Sequence, residues 1–146
     1  MRRTAPLLLA LLALFGVAPL HAQATPAQLE RFVGTVARLW EAGDAGAIAA
    51  LVPAQGQVLL DTGSGSESVN SRHAAAALRA LFGDRQGASA RPVRATIAGG
   101  RPARGFGQLE WVFRTRGAPA TRSCTVYIGA VWAGDRWRIS EIRVIP

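Results

Sequence analysis

Two charged residues interrupt the apolar face of a strand predicted at the carboxyl end of the chain. Glu141 and Arg143 are two positions apart, so both side chains project from the same face of an extended segment. Moving a carboxylate out of water is costly unless the charge is paired. In one interpretation, the two charges neutralise each other or reach solvent at the sheet edge. In the other, they form the polar floor of a wet cavity with tryptophan walls.

The second interpretation describes a small-ligand site, which is mostly apolar and has a few convergent polar groups. The candidate ligand-binding residues are Trp40, Trp111, Trp137, Glu141 and Arg143. If such a site were catalytic, Glu141 would be its general base. The sequence identifies neither the ligand nor a reaction.

A two-residue turn at Gly134-Asp135 is expected to set the register of the last two strands. Continuous pairing beyond this turn puts Glu141 and Arg143 on the same face as Trp137. The opposite, outer face would then carry an apolar patch. That patch consists of Val112, Tyr127, Val131, Ile142 and Val144. Because exposed apolar patches often mark a partner surface, we expect a homodimer through the outer face of the sheet.

Other signatures of enzyme sites are missing from the sequence. There is no phosphate-binding loop, no nucleophile elbow and no dinucleotide fingerprint, since Gly105-Phe106-Gly107 lacks a third glycine. A single cysteine, Cys124, excludes an internal disulfide. His73, the only histidine beyond the leader, excludes a Cys/His zinc site. We therefore predict no metal and no cofactor, and we favour a non-catalytic role.

The chain is strongly basic. Its 146 residues include 17 basic residues, all of them arginine, and 9 acidic residues, for a net charge of +8. A field of that sign attracts polyanions, and five arginines near two adjacent turns define a polyanion-binding alternative. These are Arg101, Arg104, Arg114, Arg116 and Arg122. Nucleic acid is disfavoured as the partner, because the arginines are otherwise scattered and an arginine-only, alanine-rich composition is typical of a GC-rich genome.

The first 24 residues have the composition of a bacterial secretory signal peptide. Arg2 and Arg3 precede an apolar run over residues 7–17, and Ala22 or Ala24 ends a small-residue cleavage site. The run is too short for a membrane span, which needs about 20 residues. We therefore expect a periplasmic or secreted protein with no membrane segment after cleavage, and a single domain over residues 25–146.

Apolar spacing predicts three helices. Thr25 and Gln28 match a capping box at the start of the first helix, whose apolar stripe ends at Trp40. Asp44 would cap a short second helix, and a third would begin near Asn70.

The remaining apolar residues alternate with the period of strands. Strands are expected over residues 57–60, 92–97, 107–115, 124–132 and 137–145, and loops over 61–68 and 87–90. The prediction is an α+β fold in which three helices pack on a curved, mostly antiparallel sheet.

The order of these elements and the tryptophan-rich terminal hairpin resemble the nuclear transport factor 2-like superfamily. The local cues are the segments 39–44, 71–82 and 137–142, and the resemblance covers most of residues 25–146. The chain is most similar to an uncharacterised exported branch, a domain of unknown function. The resemblance implies a cone-shaped α+β domain, and the superfamily includes isomerases, dehydratases and cyclases that use a pocket Asp or His as general base.

No such Asp/His or Asp/Tyr constellation can be matched residue by residue in this sequence. The favoured function is therefore an exported, non-catalytic module that binds a small or amphipathic ligand, or an interaction domain. A small lyase or isomerase with Glu141 as base is the first alternative, and the arginine-rich polyanion binder is the second.

Overall fold

The structure, a computed structural model, describes residues 22–146, and most of the predicted signal peptide lies outside the described residues. Three helices and six strands follow one another along the chain. In order they are α1 (Pro26–Glu41), α2 (Ala45–Ala49), β1 (Val58–Asp61), β2 (Ser66–Val69), α3 (Ser71–Gly83), β3 (Arg85–Gly99), β4 (Arg104–Thr115), β5 (Thr121–Ala133) and β6 (Arg136–Ile145). Within residues 22–146, none of the helices combines the length and apolarity that crossing a bilayer would need.

The helix starts confirm the capping signals in the sequence. The hydroxyl of Thr25 accepts a hydrogen bond from the backbone N–H of Gln28, and the Gln28 side chain accepts one from the backbone N–H of Thr25, which completes a capping box. Asp44 caps α2 and Asn70 caps α3 in the same way. These caps satisfy backbone donors that a helix start leaves unpaired.

The strands form a single mixed sheet in the order β2-β1-β6-β5-β4-β3. All neighbours are antiparallel except β1 and β6, which run parallel. The predicted loop over residues 61–68 was wrong at both ends, because Asp61 belongs to β1 and residues 66–68 belong to β2. Asp61 closes the turn between β1 and β2 by accepting hydrogen bonds from the Gly63 amide (2.9 Å) and the Ser66 hydroxyl (3.1 Å). The predicted loop over residues 87–90 belongs to β3.

The helices cover one face of the sheet and bury its apolar side chains. Trp40 and Trp111 are among the largest fully buried side chains, and Trp137 is 4% exposed. Trp132 is half-buried and packs at the edge of the same core. The prediction that tryptophan-bearing strands close against amphipathic helices is therefore confirmed.

The register of the terminal hairpin changes halfway along. Ala133 opposes Arg136 as predicted, but a β-bulge lies further from the turn. Ala130 opposes Ile139, whereas the residue before it, Gly129, opposes Glu141. The extra residue on β6 is Ser140. The predicted continuous register was wrong beyond this point, because a one-residue shift moves every later side chain to the other face of the sheet.

The bulge reverses the sheet faces that were predicted for the last part of β6, over residues 141–144. Ile142 and Val144, predicted on the outer face, are buried in the core, at 0% and 9% exposure. Glu141 and Arg143, predicted on the inner face, lie on the outer face, where Arg143 opposes the exposed Tyr127. The amide of Ile139 donates to the carbonyl of Leu51 (2.9 Å), so the chain segment after α2 contacts β6 just before the bulge.

Two glycines in β4 allow α1 to lie close to the sheet. A Cβ atom added at Gly107 would meet Cγ2 of Val33 at 2.5 Å, and one added at Gly105 would meet Cδ2 of Leu29 at 2.7 Å. Both distances are far below van der Waals contact, and both neighbours are buried side chains of α1. Gly105-Phe106-Gly107 therefore serves the packing of a helix on a strand.

The Gly107→Ala substitution is expected to lower the free energy of unfolding by about 1–3 kcal/mol, the usual cost of overpacking a core. The matched control is Gly83→Ala at the exposed end of α3, where an added Cβ meets nothing within 4 Å. This control should be neutral or stabilise the protein by up to about 1 kcal/mol. Urea denaturation measures both effects, and a Gly107→Ala variant as stable as the control would contradict the close approach of α1 to β4.

Candidate functional site

Three aromatic rings meet where the ends of α1 and α3 approach the sheet. Trp40 lies at the end of α1, Phe82 at the end of α3 and Trp111 on the inner face of β4. Their ring centroids are 5.2 Å (Trp40–Phe82), 5.6 Å (Trp40–Trp111) and 6.0 Å (Phe82–Trp111) apart, and each pair is nearly perpendicular. Edge-to-face contacts of this kind stabilise a rigid arrangement. We refer to these three residues as the aromatic triad.

Arg85 places a positive charge beside the aromatic triad. It is the first residue of β3 and follows α3 after one intervening residue, so the short connection holds it close to Phe82. The guanidinium carbon lies 5.5 Å from the ring centroid of Trp111 and 5.1 Å from that of Phe113, within cation–π distance. Nη1 donates to the carbonyl of Leu81 at 2.5 Å, which fixes the side chain.

The aromatic triad and Arg85 border a cavity of about 220 Å³, which we call the triad cavity. Its lining residues are Trp40, Glu41, Ala42, Gly43, Phe82, Arg85, Gly87, Ala88 and Trp111. Glu41 contributes a carboxylate whose Oε2 accepts a hydrogen bond from the backbone N–H of Ala90 (3.2 Å). The cavity thus combines aromatic walls with one guanidinium and one carboxylate.

Three hydrogen-bond donors of the triad cavity residues have no acceptor among the described residues. They are Nε1 of Trp40, Nε1 of Trp111 and Nε of Arg85, and all three atoms are buried. A buried donor without a partner costs about 1–3 kcal/mol, and most such groups in proteins are satisfied. All three atoms belong to residues that line the triad cavity, and the charge of the Arg85 guanidinium favours an anionic ligand there.

The structure brings together only part of the site predicted from the sequence. Trp40 and Trp111 are neighbours in the aromatic triad, whereas Trp137 packs against Trp132 at the other end of the sheet, with ring centroids 5.4 Å apart. The placement of Glu141 and Arg143 beside the tryptophans was wrong, because the bulge at Ser140 turns both side chains to the outer face. There they form an ion pair with each other, and the Glu141 and Arg143 side chains are 27% and 47% exposed.

Sequence reasoning missed the two charged residues of the triad cavity, Glu41 and Arg85. Both stand next to predicted core residues, since Glu41 follows Trp40 and Arg85 comes three residues after Phe82. The available signal was a charged residue within three positions after the last aromatic residue of each of two apolar helical stripes. That signal is weak, because charged residues are also common at helix ends for electrostatic reasons.

The thiol of Cys124 lies near the same region, since Cys124 opposes Trp111 in the β4–β5 ladder. Burial raises its pKa above the ordinary value, although the positive charges of Arg85 and Arg122 act in the opposite direction. The thiol is therefore protonated at neutral pH and is a poor nucleophile. Among residues 22–146, no three His, Cys, Asp or Glu side chains are grouped closely enough to hold a metal ion.

The five arginines of the polyanion alternative lie at two separate ends of the sheet. Arg101 and Arg104 are at the β3–β4 turn, whereas Arg114, Arg116 and Arg122 flank the β4–β5 turn. These turns lie at opposite ends of the 12-residue strand β4, which places them roughly 36 Å apart along the strand at 3.3 Å per residue. The five arginines therefore form two separate groups, because successive turns of a meander alternate between the two ends of its strands.

No protein-family model and no curated protein sequence matches the chain. Solved structures do resemble it in fold. A nuclear transport factor 2-like design superposes with a TM-score of 0.60 at 16% identity, covering 79% of this chain and 94% of that one. A protein of a family of unknown function (DUF4783) from Bacteroides ovatus gives 0.58 at 15% identity, covering 84% and 96%. A scytalone dehydratase-like protein from Novosphingobium aromaticivorans gives 0.63 at 11% identity, covering 81% and 80%.

Proposed function

Since the chain has the nuclear transport factor 2-like fold, we propose that it binds a small organic acid in the triad cavity. The carboxylate of the ligand would pair with the guanidinium of Arg85, and its apolar body would pack against the rings of the aromatic triad. The single observation that carries this proposal is one cavity that is lined by three aromatic rings and by the side chain of Arg85, whose guanidinium lies over the Trp111 ring.

The groups that line the triad cavity are held rigidly before a ligand binds. The indoles of Trp40 and Trp111 are fixed by their perpendicular packing, and the guanidinium is fixed by its bond to the Leu81 carbonyl. Donors fixed before binding lose little conformational entropy when a ligand arrives. A carboxylate also forms a stronger hydrogen bond with a guanidinium than a neutral acceptor does. An aromatic or aliphatic carboxylate therefore satisfies the site better than an alcohol or an amine.

The geometry gives no support to the lyase or isomerase alternative that used Glu141 as base. Glu141 is ion-paired with Arg143 on the outer face and does not line the triad cavity. The carboxylate that does line the cavity belongs to Glu41, and its Oε2 is engaged with a backbone amide. A binding role is accordingly the function that the site supports best.

Titration with benzoate tests the proposal, with benzyl alcohol as a neutral probe of the same ring size. Benzoate should bind with a 1:1 stoichiometry and quench the tryptophan fluorescence, whereas benzyl alcohol should bind at least about 10-fold more weakly. The Arg85→Gln variant should lose at least about 10-fold in benzoate affinity, because a hydrogen bond to a charged group contributes about 1.5–3 kcal/mol.

The matched control is Arg101→Gln, which removes the same charge from an exposed position on the distant β3–β4 turn and should leave benzoate affinity unchanged. Circular dichroism establishes that both variants are folded. If the two probes bind equally well, or if Arg101→Gln weakens benzoate binding as much as Arg85→Gln does, the triad cavity does not recognise an acid.

We also propose that two copies of the chain associate through the outer face of the sheet. Two large side chains on this face are well exposed, Phe106 at 47% and Tyr127 at 40%, and they are diagonal neighbours on β4 and β5. Tyr127 belongs to the predicted patch and Phe106 does not, whereas Ile142 and Val144 of that patch are buried in the core and Val112 and Val131 are half-buried. Sedimentation equilibrium at micromolar concentration should give the mass of two chains, and the mass of one chain would contradict the dimer.

The export of the protein remains a proposal that is supported by the sequence of the first 24 residues. Expression of the full chain in a bacterium should yield a periplasmic or secreted product that begins after Ala22 or Ala24. Intact-mass measurement distinguishes the two cleavage sites, since the products differ by two residues. An uncleaved chain in the cytoplasmic fraction would contradict export.

A further inference from the structure

A second cavity lies at the other end of the inner face of the sheet. It has a volume of about 340 Å³, within the range of small-molecule sites. Its apolar walls come from Phe32 of α1, Leu51 after α2 and the paired indoles of Trp132 and Trp137. This second cavity is about 20 Å from the triad cavity along β4. Trp111 lines the triad cavity, Gly105 lies against Trp137 of the second cavity, and the two residues are six positions apart on β4. We refer to this second cavity as the hairpin cavity.

The charged residues of the hairpin cavity leave an excess of positive charge. Asp135 is its single carboxylate, and both oxygens of that carboxylate accept hydrogen bonds from Arg136, at 3.0 Å each. This pairing lowers the pKa of Asp135 and keeps it ionised, so the two charges cancel. The cavity also contains Arg31 and Arg138, and Nη1 of Arg138 donates to the carbonyl of Ala50 (3.2 Å), which leaves its other N–H groups for a ligand.

The two indoles of the hairpin cavity differ in their hydrogen bonding. Nε1 of Trp132 donates to the carbonyl of Ala22 (3.0 Å), so the hydrogen-bonding capacity of this indole is satisfied. Nε1 of Trp137 is buried and has no acceptor among the described residues, and the Trp137 residue is only 4% exposed. Aromatic walls and two uncompensated guanidinium groups thus line one cavity.

We propose that the hairpin cavity is a separate binding site for an amphipathic anion, in which an aromatic or aliphatic body packs on Phe32 and Trp137 and the anionic group binds Arg31 and Arg138. The site takes a larger ligand than the triad cavity does. It stands independently of the proposed function, since none of its lining residues lines the triad cavity.

A matched pair of fluorescent probes tests this site. The anionic probe 8-anilinonaphthalene-1-sulfonate and the neutral N-phenyl-1-naphthylamine share the same ring system and differ by the sulfonate. The sulfonate probe should bind the folded protein with a 1:1 stoichiometry and at least about 10-fold more tightly than the neutral probe. The Arg31→Gln/Arg138→Gln double variant should weaken sulfonate binding about 10-fold and leave binding of the neutral probe unchanged.

Two further variants locate the binding and keep the test independent of the triad cavity. Arg85→Gln in the triad cavity and Arg114→Gln at the far end of β4 should both leave sulfonate binding unchanged. In the ¹⁵N-correlated spectrum, the indole N–H signal of Trp137 should shift with the sulfonate probe. The proposal is overturned if the sulfonate probe does not bind, if the neutral probe binds equally well, if the double variant binds like the wild type, or if Arg85→Gln abolishes binding.

Discussion

The Trp111→Ala variant should lose about 3–5 kcal/mol of unfolding free energy, the usual cost of truncating a fully buried aromatic side chain. Trp111 is 1% exposed and contacts Trp40, Phe82 and Phe113 through its ring. The cavity left behind cannot collapse easily, because these neighbours belong to three different elements. Urea denaturation of the wild type and the variant measures the loss.

The matched control is Trp132→Ala, which removes the same volume from a half-buried position at the sheet edge. We expect this variant to lose less than half as much stability as Trp111→Ala, because Trp132 is only partly buried whereas Trp111 is fully buried. Equal losses would mean that the aromatic triad is not the centre of the core.

The Ile142→Ala variant should lose about 2–5 kcal/mol, because the bulge at Ser140 turns this side chain into the core, where it is fully buried. Its control is Ile145→Ala on the same strand, since Ile145 is 43% exposed. That substitution should change stability by no more than about 0.5 kcal/mol. A large loss at Ile145 together with a small loss at Ile142 would restore the continuous register and put Glu141 back on the inner face.

The bulge at Ser140 limits how much of the β5–β6 register could be predicted from the sequence. The turn at Gly134-Asp135 correctly fixes the first pairs of the hairpin, including Trp132 with Trp137. Beyond it, the apolar residues of β6 change from odd positions (Trp137, Ile139) to even positions (Ile142, Val144). That change of phase, together with an interior glycine on β5, is a sequence signal for a bulge.

The contact that accompanies the bulge could not be predicted in the same way. The Ile139 amide bonds to the carbonyl of Leu51, which is 88 residues earlier in the chain and belongs to the segment that leads into β1. Local patterns describe neighbours within one strand or helix, whereas this contact depends on how α2 docks on the sheet. The capping residues Thr25, Asp44 and Asn70 were predictable because a cap is completed within three or four residues.

At the candidate site, too, local features were predictable from the sequence, whereas contacts between distant elements were not. Buried tryptophans were predictable from apolar spacing, and two of them line the triad cavity. The polar groups were not, because Glu41 and Arg85 meet only when α1, α3 and β3 assemble. The charged pair that the sequence favoured, Glu141 and Arg143, lies on the outer face.

The most direct test of the central claim is the indole region of a ¹⁵N-correlated NMR spectrum recorded during titration with benzoate. The N–H signals of Trp40 and Trp111 should shift together and saturate at the same benzoate concentration, because both rings line the triad cavity. Signals of Trp40 and Trp111 that do not move at saturating benzoate would contradict an acid-binding site in the triad cavity.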